Sequence, residues 1–180
     1  MRYNWYYINS FLNKKEVAQL NKTCEVNGIL QMQSADTTKT SEAKGVHYSH
    51  MLPFIDKMED VTNMINTQYY GFNLFPSTRD GKVSYNIYKG KNKGEYKWHH
   101  DAENLGTAFE LKLTAIVNLS EKPFVGGEFF LWKNKEAEIS QLIVPGTLLV
   151  FPSFYIHKVN PVIKGTRKTL TFWRCGKPWT

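Results

Sequence analysis

The stretch 96-YKWHHDAE-103 places two histidines and an aspartate side by side. In an extended chain, residues two apart share a face, so His99 and Asp101 project together and His100 projects away. One imidazole and one carboxylate on the same side can serve one cation. They are two legs of a two-histidine, one-carboxylate set, which leaves further positions open on a metal such as Fe(II). Spacing alone is a weak guide. With five His and sixteen acidic residues in 180, about 0.4 H-x-[DE] pairs arise by chance, and a polar surface turn would read the same way.

The stretch 154-FYIHKVNPVIKGTRKTLTFWR-174 supplies a second group. Read as strand, turn and strand, it forms a hairpin centred near residue 162, which sets His157 opposite Arg167. Thr169 falls on the same face as Arg167. A metal-capable imidazole would then lie beside a hydroxyl and a guanidinium, whose rigid fork matches a carboxylate. A dicarboxylate could chelate a metal at one end and pair with Arg167 at the other. Zinc with a hydrolytic base is an alternative, with Glu103 as the base, but that scheme leaves Arg167 without a task. Each residue also has a purely structural reading: His157 as a core histidine, Arg167 as a hairpin-end charge, Tyr88 and Tyr96 as core aromatics.

The elements that must position these groups follow from periodicity. A short aromatic strand is expected over 3–9. Helical spacing predicts a helix over 10–28, ending at Gly28, and a second over 51–67. Residues 31–47 are polar and read as a long loop, either a lid or disordered. From residue 70 the pattern becomes short strands, over 82–88, 110–119, 127–132, 139–144, 147–151, 154–159 and 168–174. Turn signals separate them at 120–127, Pro145-Gly146, Pro152-Ser153 and 161–166. Along 110–119, Leu111, Leu113, Ala115, Val117 and Leu119 share one face. This pattern implies a β sandwich or barrel with one N-terminal helical layer.

Composition is that of a soluble globular protein, 42% hydrophobic and 22% charged. No apolar run approaches the ~18 residues of a membrane span, and the N-terminus turns charged too early for a secretory leader. Two cysteines, Cys24 and Cys175, fit neither a disulfide framework nor a CxxC metal site, so a cytoplasmic location is expected. The net charge of +7, concentrated in 89-KGKNKGEYK-97, is either a solvated surface or an attraction for an acidic partner. No nucleic-acid motif accompanies it.

The order H-x-D, then GGE, then PG…VFPS…H-x-V-x-PV…G-x-R resembles the prolyl 4-hydroxylase-like branch of the 2-oxoglutarate/Fe(II) oxygenases, including bacterial and phage members. The similarity covers residue 70 to the end, in 96-YKWHHDAE-103, 111-LKLTAIVNLSEKPFVGGEFFLW-132, 145-PGTLLVFPSFYIHKVNPVIKGTRKTLTFW-173 and 176-GKPW-179. It implies a mainly β fold with N-terminal helices, a double-stranded β-helix of the jelly-roll, cupin-like kind. One domain over 1–180 is expected, with 1–69 as helical support and lid and 70–180 as the core. His99, Asp101 and His157 would be the iron ligands. Arg167 would bind the distal carboxylate of 2-oxoglutarate, with Thr169 and Tyr88 beside it, although 89-KGKNKG-94 lengthens the spacing from Tyr88 to His99. Trp173 would line the pocket or serve the structure.

The same resemblance implies a dioxygenase using Fe(II), 2-oxoglutarate and O2, with ascorbate as reductant. It would hydroxylate an unactivated C–H and release succinate and CO2. The leading substrate is a prolyl residue in a peptide or protein. A free amino acid or small metabolite, and a non-catalytic metal-binding jelly roll, are the alternatives. No nucleic-acid or membrane partner is expected. Halogenation is disfavoured because Asp101 occupies the position a halide needs. Nucleic-acid demethylation lacks its R-x5-R pair, since Arg174 stands seven residues after Arg167.

Overall fold

A computed structural model describes residues 5–31, 38–78, 80–102 and 109–178. Among these described residues two α-helices, α1 (Lys14–Asn27) and α2 (Leu52–Ile65), accompany thirteen strands. These are β1 (Tyr6–Ile8), β2 (Ile29–Leu30), β3 (Glu42–His47), β4 (Lys82–Lys89), β5 (Tyr96–His99), β6 (Glu110–Asn118) and β7 (Val125–Gly126). They continue with β8 (Phe129–Lys133), β9 (Lys135–Glu138), β10 (Leu148–Pro152), β11 (His157–Val159), β12 (Val162–Lys164) and β13 (Thr166–Gly176).

The strands form a seven-stranded sheet in the order β1-β10-β6-β13-β4-β3-β2, a four-stranded sheet β5-β11-β8-β9, and a two-stranded ribbon β12-β7. All the pairings are antiparallel. The large and small sheets face each other as the double-stranded β-helix expected from the resemblance.

Alternation along β6 shows how the layers separate. Leu113, Ala115 and Val117 pack outward with Val17, Leu20, Phe54 and Met58 of the helices. Ile116 points the other way, into the space between the sheets, with Phe129, Leu131, Phe151 and Val159. Both faces of the large sheet are therefore buried, one under helices and one under the small sheet. Leu111 leaves the outward set: a register shift between Arg174 and Cys175 on β13 precedes its pairing with Cys175, and it lines the cavity described below.

Several element boundaries differ from the periodicity reading. Helix α1 begins at Lys14 because Asn13 caps it, accepting from the backbone N–H groups of Lys15 and Glu16, while Glu16 accepts from the Asn13 N–H. Phe11 and Leu12 precede the helix. The polar stretch 42–47 is not loop but β3, an inner strand of the large sheet between β4 and β2. It buries Ala43 and Val46 and sends Glu42 to an ion pair with Lys89. Apolar 139–144 is not a strand. It forms one 3-10 turn that buries Leu142, and the neighbouring strand is the charged edge β9. Residues 154–156 turn before β11, and 161–166 contains β12 instead of turn alone. Among the described residues, no helix is long and apolar enough to cross a membrane.

Arg174 clamps the helical layer to the sheet. It is 2% exposed and donates to Thr62 Oγ1, Asn63 Oδ1, the Phe75 carbonyl and Glu59 Oε1. Replacement by leucine removes the donor from each of these acceptors and leaves Glu59 Oε1 only the Ser77 N–H. Arg174→Leu is expected to lower stability by about 3 kcal/mol, as removal of one partner from a buried ion pair does. Urea unfolding should show the shift, and a loss below ~1 kcal/mol would mean that surface pairing alone is involved.

Candidate functional site

The small sheet brings the two histidines together. Strand β11 lies between β5 and β8, and His157 pairs directly with His99 across the β11–β5 ladder. Their ring centroids stand 4.1 Å apart. Each ring is oriented by its own chain. His99 Nδ1 lies 2.8 Å from the Lys97 carbonyl, and His157 Nδ1 lies 2.9 Å from the Tyr155 carbonyl. A carbonyl can only accept, so each Nδ1 carries the proton and each Nε2 lone pair is left free. Tyr96 stacks on His99 at 3.4 Å between centroids.

Asp101 completes the group from a position just beyond β5. Its Oδ1 lies 3.6 Å from His99 Nε2 and 3.7 Å from His157 Nε2. Its Oδ2 accepts from Thr114 Oγ1 at 2.8 Å and from Trp173 Nε1 at 3.0 Å. Thr114 in turn accepts from Ser153 Oγ at 3.0 Å, because its own proton is committed to Asp101. The backbone N–H groups of Asp101 and Ala102 both donate to the Ser153 carbonyl. The carboxylate therefore hangs between the sheets, with one oxygen tied down and the other turned to the imidazoles. His100 is exposed, and it too borders the cavity.

Three ligand atoms, one each from His99, Asp101 and His157, lie within 4.8 Å of one another. Two neutral imidazoles and one carboxylate fit a divalent transition metal and leave positions for exogenous ligands. Burial first, and the neighbouring His157 second, hold the His99 imidazole down at about 4, against the opposing pull of Asp101. The ring is thus in its ligating form throughout the neutral range.

The large sheet contributes the opposite wall of the same cavity, about 600 Å³ in volume. Arg167 pairs with Tyr88 across β13–β4, and Thr169 pairs with Asn86. The expected hairpin contact between His157 and Arg167 is not formed. The two residues sit on different sheets, because β12 pairs with β7 and separates β11 from β13. They meet across the cavity instead.

Arg167 is 2% exposed, and its guanidinium lies 5.3 Å from the Tyr88 ring centre. Among the described residues it has no acidic partner. Burial disfavours its charge, and burial raises the Tyr88 phenol, which stays protonated and able to donate. A buried guanidinium aimed at open space fits an incoming carboxylate. Gly127 makes room for it: φ is +70°, and a Cβ there would lie 3.0 Å from Arg167 Cδ and 2.9 Å from Val162 Cγ2. That accounts physically for the second glycine of 126-GGE-128.

Lys39 and Asn86, which line the cavity, and Thr114 and Ser153, which hold Asp101, escaped the sequence reading. Asn86, in the alternating stretch 82–88, lines the cavity, and Thr114, in 110–119, donates to Asp101. Lys39 lies in a stretch read as loop. Its Nζ donates to Asn86 Oδ1 at 2.8 Å and lies 4.9 Å from the Tyr96 ring centre. Burial pulls its ammonium down to about 8, opposed by the charge of Asp101. In the basic segment, Lys89 is paired with Glu42, and Lys91 and Lys93 are exposed. Glu103, the base of the zinc alternative, lies outside the described residues.

Comparison with known proteins agrees with this geometry. Residues 83–175 match the family model of the 2OG-Fe(II) oxygenase superfamily. A PKHD-type hydroxylase of Idiomarina loihiensis is 32% identical over 93 residues, a match spanning 51% of this chain and 41% of that protein. Another, of Pseudoalteromonas atlantica, is 29% identical over 179 residues, covering 92% of this chain and 75% of its own. Among solved structures, a Pseudomonas putida prolyl-4-hydroxylase superposes with a TM-score of 0.76 at 21% identity, covering 98% of this chain and 95% of its own. A Trichoplax adhaerens prolyl hydroxylase, in complex with a hypoxia inducible factor peptide fragment, gives 0.74 at 19% identity, covering 95% and 83%.

Two outcomes are expected from this arrangement. Thr114→Val and Trp173→Phe each remove one of the two donors to Asp101 Oδ2, and each should weaken Mn(II) binding by about 10- to 100-fold, as loss of groups that orient ligands does. Electron paramagnetic resonance titration of free Mn(II) measures it, and unchanged affinity in both variants would exclude an orienting role. The second concerns acid stability of the metal-free protein. Unfolded imidazole titrates near ~6.5, whereas folded His99 titrates at about 4. The unfolded state therefore binds the extra proton, and stability present above ~6.5 is lost as pH falls toward 4. Thermal melts across this range should flatten in His99→Asn; an unchanged slope would refute the assignment.

Proposed function

Because the chain belongs to the 2OG-Fe(II) oxygenase superfamily, we propose that it is a 2-oxoglutarate- and Fe(II)-dependent dioxygenase. Its reaction is hydroxylation of an unactivated C–H bond, with a prolyl residue of a peptide or protein as the leading substrate. One observation carries the reading. Three metal-type ligand atoms converge in a cavity whose far wall holds a buried arginine with no acidic partner among the described residues. Zinc hydrolysis would give that arginine nothing to do.

In this reading His99 and His157 hold the metal through Nε2, each kept in one tautomer by its Nδ1–H bond to a carbonyl. Asp101 is the anionic ligand, and Thr114 and Trp173 keep its second oxygen from turning inward. Arg167 takes the distal carboxylate of 2-oxoglutarate in a bidentate grip. Tyr88 and Thr169 stand as its neighbours, with hydroxyls available to the same carboxylate. Phe129, Ile116 and Val159 form an apolar wall that limits water at the metal. Bound together, Fe(II), 2-oxoglutarate and O2 supply the oxidising power, and the keto acid leaves as succinate and CO2. No residue has to move a proton as a general base, which accords with a site that offers ligands and donors but no acid–base dyad.

The prolyl assignment is supported by the structural neighbours from Pseudomonas putida and Trichoplax adhaerens, which are prolyl hydroxylases, and by the peptide bound to the second. A location in the cytoplasm and ascorbate as reductant complete the proposal.

Purified protein given Fe(II), ascorbate and 2-oxoglutarate should form succinate, and a proline-containing peptide library should acquire +16 mass shifts. Arg167→Met should raise the KM for 2-oxoglutarate at least about tenfold, the loss of a charge-assisted pair. Asp101→Ala should abolish turnover. A wild-type protein that makes no succinate and does not bind 2-oxoglutarate would instead be a non-catalytic jelly-roll module.

A further inference from the structure

Lys39 is a second cation inside the cavity, and neither the metal ligands nor the keto-acid grip uses it. Its backbone is fixed, not loosely draped. Residue 39 bridges to Tyr96, the Lys97 N–H donates to the Thr38 carbonyl, and the Thr40 N–H donates to the Glu95 carbonyl. Its head is fixed as well. Asn86 is turned by Thr171 Oγ1 and the Ser84 carbonyl, both accepting from Nδ2, so that its Oδ1 meets the ammonium. An ammonium has three protons, and this amide takes one. Among the described residues no carboxylate lies within ion-pair distance of it.

Charge balance says what is missing. A divalent metal and Arg167 bring three positive charges, and Asp101 with a doubly ionised keto acid brings three negative ones. Among the described residues the reacting complex without substrate is thus neutral at its centre, and the ammonium of Lys39 is left without a counter-charge of its own in a partly closed cavity. Such a charge is costly unless something pairs with it.

We propose that Lys39 receives a carboxylate of the prime substrate, so that this oxygenase acts on an anionic amino-acid derivative or peptide whose acid group enters the cavity beside the carbon to be hydroxylated. The inference rests on the dioxygenase reading above and narrows its substrate class. The acid is either a terminal carboxylate or the side chain of an adjacent acidic residue.

The test uses the full chain loaded with Mn(II) and N-oxalylglycine, an unreactive analogue of the keto acid, with binding followed by calorimetry. N-oxalylglycine must bind first, and weaken in Arg167→Met; if it does not, the dioxygenase reading fails, independently of Lys39. One arm then compares N-acetyl-L-proline with its carboxamide. The other compares the blocked dipeptide acetyl-Asp-Pro-amide with acetyl-Asn-Pro-amide. The acid of at least one pair should bind at least tenfold more tightly than its amide, and the arm that responds identifies the source of the carboxylate. Lys39→Met should erase that ratio and Lys39→Arg should keep it. Equal affinities in both pairs, no binding by either acid, or a ratio that survives in Lys39→Met would overturn the proposal. So would a loss of N-oxalylglycine affinity in Lys39→Met as large as in Arg167→Met, which would assign the lysine to the keto acid.

Discussion

The fold depends at its centre on one carboxylate held between two sheets. Asp101 follows the small sheet's edge strand, yet its backbone is bonded to Ser153 at the end of β10, and its side chain to Thr114 on β6 and Trp173 on β13. These three strands belong to the large sheet. The imidazoles it faces belong to the small one. An Asp with one oxygen satisfied by two donors has little freedom in the other, and that is what makes three distant side chains a preorganised donor set. The distance between the sheets is thereby set at the place where chemistry would occur.

Around that point the layers divide their tasks. The convex face of the large sheet takes the helices and carries most of the buried apolar surface. The concave face carries Tyr88, Asn86, Thr169 and Arg167 among smaller apolar walls. Polar groups can stand there because each has a partner or looks into a cavity made for a polar guest. The helices α1 and α2 contribute no ligand. They cover the sheet and, through Arg174, hold its C-terminal strand in register beside the ligand-bearing loop.

The site was more legible than the framework. His99, Asp101, His157 and Arg167 have chemistry and spacing that few other patterns share, and all four line one cavity. What misled was the geometry between them. A hairpin is the simplest reading of 154–174, but two short strands in that interval, β11 and β12, pair elsewhere and send His157 and Arg167 to opposite sheets. Strand β3 was unreadable for a related reason: Glu42 and Lys44 give it a polar face, and its burial comes from neighbours far along the chain. Strand β9 carries three charges in four residues, as exposed edges do. Lys39 was missed because it lies in a polar stretch read as loop, and Thr114 because alternation marks the two faces of a strand but does not say which polar side chain will hold a carboxylate.

The glycine beneath Arg167 has a further meaning. A guanidinium whose stem rests against bare backbone has no side chain under it that could rotate away, so its depth below the donor cluster is inherited from the path of the chain at Gly127. On the proposed reading, the gap between metal and arginine then acts as a caliper. It selects a diacid by its span as much as by its charge, and a homologue one methylene shorter or longer would reach only one of the two anchors.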